Sequence, residues 1–79
     1  MKSVKILLPD VAAVKLFVNI VEQCDFDADL VSGRYRINAK SMMGIFSLGA
    51  EGPVTMELHT EDEAAATQLL NKISPFIVD

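Results

Sequence analysis

The sequence holds a single cysteine, Cys24, and a single histidine, His59. One cysteine cannot form an internal disulfide, and no Cys/His cluster exists to hold zinc. No apolar run approaches the roughly 20 residues of a membrane-spanning helix. The stretch from Met1 to Leu8 is too short and too strand-like for a signal peptide. Basic residues are few, seven against eleven acidic, for a net charge of −4. Nucleic acid and anionic membrane both need a basic face, so neither is an expected partner. Linkers, internal repeats and low-complexity segments are missing too. What is present is 79 residues, 51% of them hydrophobic. That composition predicts one folded domain over residues 1–79, small enough for only a limited core, with the cytoplasm as its expected location.

Apolar periodicity divides the chain into elements. Val4, Ile6 and Leu8 alternate with polar neighbours, which predicts a half-buried strand over Lys2 to Leu8. Pro9 ends it and Asp10 caps a helix from Val11 to about Gln23. Val14, Phe17, Val18 and Val21 form its buried stripe. Leu16 and Ile20 lie off that stripe and are expected partly exposed, near the methionine-rich segment described below. After a turn at Cys24-Asp25, Phe26, Ala28 and Leu30 mark a second strand. Ser32-Gly33 signals a hairpin, and Tyr35 and Ile37 mark a third strand. Asp25, Asp27 and Asp29 face Arg34 and Arg36 across that hairpin and are expected to help set its register. The aspartates have the period of a strand and lack the glycine and distal glutamate of a calcium loop, so no metal site is expected. Glu51-Gly52-Pro53 forms a turn, and Val54, Met56 and Leu58 mark a fourth strand. Thr60 to Glu63 has the pattern of a capping box. The last helix buries Ala66, Leu69, Leu70 and Ile73 and stops at Ser74-Pro75. Two long helices, each with one apolar stripe, need a sheet to cover. Alternating strands predict an antiparallel sheet with one face open to water. The fold class is therefore α+β, an open-faced sandwich in the order βαββαβα.

Between the third and fourth strands lies Asn38-Ala39-Lys40-Ser41-Met42-Met43-Gly44-Ile45-Phe46-Ser47-Leu48-Gly49. This predicts a short helix capped by Ser41 and stopped by Gly49. Met42, Met43, Ile45, Phe46 and Leu48 are too many apolar residues for so short a helix to bury on one side. Some are expected in solvent as adaptable contact surface.

From Lys40 to Gly49 the segment fits, at every position, a pattern of Lys-Ser, two apolar residues, Gly, two apolar residues and Ser-Leu-Gly. In this it resembles the regulatory-serine segment of the HPr family, the phosphocarrier proteins of the bacterial sugar phosphotransferase system. The resemblance extends through element order over nearly the whole chain. It implies strand order 1-4-2-3, a cytoplasmic protein that is not an enzyme, and no cofactor. It also implies phosphorylation of Ser41 by an HPr-kinase-type enzyme. Protein partners, a transcriptional regulator among them, are expected to dock on Leu16, Ile20, Lys40, Met42 and Phe46.

In that family the first helix opens on a motif whose histidine carries the phosphoryl group and whose arginine clamps it. Ungapped alignment puts Asp10 at the histidine position and Ala12 at the arginine position. His59 falls at the far end of the sheet and cannot substitute. Asp10 then reads as a helix cap, as a phosphoryl acceptor, or as a permanent anion imitating a modified histidine. The catabolite-repression paralogues of HPr also lack the histidine and keep the serine, although with glutamine at the first position. These observations predict a regulatory or binding module that cannot relay phosphate through histidine. A carrier that uses Asp10, or a purely structural interaction domain, are the alternatives.

Overall fold

The computed structural model describes residues 2–48 and 52–78. The expected Gly49 helix stop and Glu51 of the expected turn lie outside them. The elements are β1 (Lys2–Ile6), α1 (Val11–Val21), β2 (Asp27–Ser32), β3 (Tyr35–Asn38), α2 (Met42–Leu48), β4 (Val54–His59) and α3 (Glu63–Lys72), followed by a 3₁₀ turn at Ser74–Phe76. The four strands form one sheet in the order β1-β4-β2-β3. Every neighbouring pair is antiparallel. This is the expected α+β architecture, with the strand order that the resemblance implies.

The period-two pattern determines which face is buried. Ile6, Ala28, Leu30, Val54, Met56 and Leu58 point to the helical side. Phe17, Val18 and Val21 of α1, Ile45 of α2, and Ala66, Leu69 and Ile73 at the end of α3 close over them. Phe17 is fully buried, and its ring meets Phe76 edge-on at a centroid distance of 6.0 Å. Leu70, expected in the buried stripe of α3, is only half-buried. The apolar tail packs back onto the sheet. Leu7 N–H donates to the Phe76 carbonyl (2.8 Å) and Val78 N–H to the Lys5 carbonyl (3.0 Å), so the tail covers the outer edge of β1.

Three boundaries depart from expectation for local reasons. β1 ends at Ile6 and not at Leu8, because Leu7 turns its N–H to the tail. α1 ends at Val21: Gln23 N–H and Cys24 N–H reach back three residues, to Ile20 and Val21, which tightens and closes the last turn. The cap of α3 is Asp62, which accepts from Ala65 N–H at 3.1 Å. Thr60 accepts instead from Asp62 N–H, so the expected capping box is replaced by a one-residue cap two positions later. The β2–β3 hairpin closes at Ser32↔Tyr35, leaving Gly33-Arg34 as its two-residue loop. Gly33 sits at φ +58, the conformation that such a loop demands of its first residue.

On the open face, Arg36 bridges Asp29 (3.2 Å) and Glu57, and His59 Nε2 lies 2.9 Å from the same Asp29 carboxylate. Hydrogen bonds donated to Glu57 and then to Asp29 raise the Arg36 guanidinium above its ordinary pKa. The expected charge pairing across the hairpin is thus made by Arg36 and Asp29, with β4 supplying Glu57. Asp25, Asp27 and Arg34 join no ion pair among the described residues. His59, at the end of β4, has that carboxylate as its partner.

Two measurements test this account. Phe17→Ala should cost about 3–5 kcal/mol in urea unfolding, since it empties the centre of the core and strands the Phe76 ring. Asp62→Ala should cost about 1 kcal/mol, with Thr60→Ala costing clearly less; the reverse order would restore the capping box.

Candidate docking and modification site

Asp10 stands at the head of α1 with extended backbone (φ −150, ψ 177), and its Oδ1 accepts from Ala13 N–H at 2.8 Å. Short polar side chains favour this position because they satisfy an N–H that the helix leaves free. Beside it lies a groove of about 220 Å³ whose walls include Leu8, Val11, Val14, Phe46 and Leu48. Asp10 is the charged residue on its lining. Ala12 is exposed and offers no cation. His59 is remote: Ile6 pairs with Val54, while Lys2 pairs with Leu58, next to His59. Five residue steps along β4 separate the two ends, roughly 17 Å at strand rise. Among the described residues no group of three His, Cys, Asp or Glu side chains could hold a metal ion.

Ser41 occupies the other end. Its N–H donates to the Asn38 carbonyl (3.0 Å), and Lys40 N–H donates to Asn38 Oδ1 (2.8 Å), which builds the turn out of β3. Ser41 Oγ then accepts from Gly44 N–H at 3.1 Å, the expected cap of α2. A Cβ at Gly44 would lie 3.1 Å from Ser41 Oγ and 3.5 Å from the Ile37 side chain. Glycine there lets the short helix sit down on β3. Lys40 folds away from the turn, and its Nζ donates to the Cys24 carbonyl just beyond α1 (2.9 Å).

Asp10 shares its groove with the last residues of α2, whereas Lys40, just before α2, touches the end of α1. The two helices are therefore antiparallel, and Asp10 and Ser41 lie at opposite ends of the pair. The eleven residues of α1 separate them by roughly 16 Å of helix.

The expected contact residues do not form a single patch. Phe46 is 44% exposed and open to a partner, while Met42 is half-buried against the core. Leu16 is 58% exposed on the outer surface of α1. Ile20, one turn later, is turned toward α3, where it lines a second groove with Ala65, Leu69 and Lys72. The expectation that Leu16 and Ile20 lie near the methionine-rich segment is corrected: the flank of α1 that meets α2 carries Val11 and Val14. The most exposed apolar side chain of the segment is Met43, at 77%, which the sequence reading left unassigned. The signal was available. Ile45 and Leu48 define the inward side of α2, and Met43, two residues before Ile45, is turned roughly 200° away from it.

The family described as "PTS HPr component phosphorylation site" matches residues 11–78. A solved structure described as HPr-C-His from Thermoanaerobacter tengcongensis is similar, with a TM-score of 0.75 and 28% identity. That likeness covers 94% of this chain and 92% of that one. No curated protein matches the sequence. The family match spans most of the chain, beginning one residue after Asp10, and the fold agrees with it along its length. The chain thus belongs to the HPr family of the phosphotransferase system, phosphocarriers that work through other proteins and are not themselves catalysts.

Proposed function

We propose that this chain is a regulatory or binding module of HPr type that does not relay phosphate through histidine and takes its covalent mark on Ser41. The observation that carries the reading is the residue at the head of α1. A carboxylate, already engaged by Ala13 N–H, occupies the place that the ungapped alignment gives to the family's histidine. A carboxylate is not an imidazole nucleophile, and Ala12 supplies no guanidinium to steady a phosphoryl group. The only imidazole lies at the far end of β4.

Ser41 is suited to modification. It is half-buried, its Oγ accepts a hydrogen bond without spending its own proton, and Lys40 precedes it. In the modification Ser41 Oγ takes the γ-phosphoryl group of ATP, ADP leaves, and the hydroxyl proton passes to a base of an HPr-kinase-type enzyme. The doubly charged product acts on partners by adding acceptor oxygens beside an apolar surface. The exposed apolar side chains of that surface on α2 are Met43 and Phe46. A protein such as a cytoplasmic transcriptional regulator would read it. No helix of the described residues is long and apolar enough to cross a membrane.

Incubation with ATP and an HPr kinase, followed by intact-mass measurement, tests the reading. The expected result is one added phosphate that is absent from Ser41→Ala. With phosphoenolpyruvate and the phosphotransferase relay in place of the kinase, no phosphate should be added. A hydroxylamine-sensitive phosphoryl group, lost in Asp10→Asn, would overturn the proposal in favour of a carrier that uses Asp10. No modification by a kinase active on an ordinary HPr would leave a purely structural interaction domain.

A further inference from the structure

Lys40 does something that its neighbour's modification would disturb. Its ammonium reaches across to the carbonyl of Cys24, beyond the C-terminal end of α1. α1 has no basic residue in its own last turn, and this lysine places a cation just past its C-terminal end, where the helix dipole favours one. The same end is also closed by the Glu22 N–H bond to the Val18 carbonyl (2.9 Å), by the short-range bonds of Gln23 and Cys24 N–H, and by the Cys24 thiol, which donates to the Phe26 carbonyl at 3.2 Å. Lys40 therefore straps the end of α1 to the turn that precedes Ser41. The turn holds the lysine backbone through Asn38, whereas its four-carbon stem is free to swing.

We infer that Lys40 is a switched strap: a phosphate on Ser41 draws the ammonium off the Cys24 carbonyl and loosens the end of α1. The physical reason is a contest between acceptors. A neutral carbonyl carries a partial charge, and a phosphoserine one residue away carries close to two full negative charges on three oxygens. Charge-assisted bonds are roughly twice as strong as bonds to neutral acceptors, so the ammonium moves to the phosphate. The mark at α2 would then be felt at the far end of α1, on Cys24 and on the groove that Cys24 shares with Ile20 and Lys72 of α3. This inference rests on Ser41 being a modification site.

The test is independent of any kinase. The full 79-residue chain is made by chemical synthesis with serine or phosphoserine at position 41, each with Lys40 or with Lys40→Met. Two readouts report the end of α1: amide exchange at Gln23 and Cys24, and the labelling rate of the Cys24 thiol by a maleimide. Amide exchange at Leu30 in the sheet is the control for global stability. With Lys40 present, phosphoserine should speed both readouts roughly two- to fivefold, the size of one charge interaction at a helix end. Lys40→Met should give the same acceleration without phosphate, and adding phosphate to it should change nothing further. Unchanged readouts in the phosphorylated parent would overturn the strap. So would equal acceleration with and without Lys40. A kinase that ignores Ser41 would sink the proposed function and leave these outcomes intact.

Discussion

Everything in this molecule depends on closing one face of a four-stranded sheet. Ile6, Leu30, Met56 and Leu58 make that face apolar, and Phe17 of α1 fills the middle of the layer above it. A chain this short has no second core to fall back on. The sheet must therefore place its helices closely, and it does so by register. Pairing Ile6 with Val54 and Leu30 with Met56 puts the head of α1 over one end of β4, while the turn before α2 falls at the other end. The polar features of the candidate site follow from that placement. Asp10 is where the chain must leave β1 and start a helix, and Ser41 is where it must leave β3 and start another.

The antiparallel packing of α1 and α2 then determines what can communicate. The two ends are too far apart for any direct contact between Asp10 and Ser41. They share the two helices, and each helix end is held by a group from the other's vicinity. Phe46 and Leu48 wall the groove at Asp10, and Lys40 holds the carbonyl of Cys24.

The strands, the buried stripe of α1 and the capping role of Ser41 were legible because each rests on short-range chemistry. Alternation at Ala28, Leu30, Met56 and Leu58 needs only the two-residue pleat, and Asp10 and Ser41 are local caps. What escaped the sequence depends on which neighbour a side chain meets. Leu16 and Ile20 were correctly set off the stripe, but periodicity cannot say which flank of α1 receives α2. Thr60 and Asp62 are both good caps, and the choice between them rests on where β4 lets go of the chain. Lys40 looked like a free cation on a contact surface, and it is spent on a carbonyl sixteen residues earlier. His59 acquired a partner only when β2 and β4 were laid side by side.

A carboxylate at the head of α1 bears on what else that helix end can hold. The N-terminus of α1 offers free N–H groups and partial positive charge, which is what a transferred phosphoryl group would exploit there. Asp10 already uses that offer, since its Oδ1 takes the Ala13 N–H. A phosphoryl group arriving nearby would have to displace this carboxylate and approach it against like charge. No arginine at Ala12 is present to offset the repulsion. On the proposed reading, the α1 end is therefore unsuited to phosphate, because its capping carboxylate already holds the N–H that a phosphoryl group would use. The Ser41 end is different. Its cap is a neutral hydroxyl whose oxygen accepts one bond and whose proton can still be given up, and a cation stands beside it in the chain. Within one fold, the helix-head group at the first end is already engaged by a backbone N–H, and the proposed reading sets the covalent mark at the second.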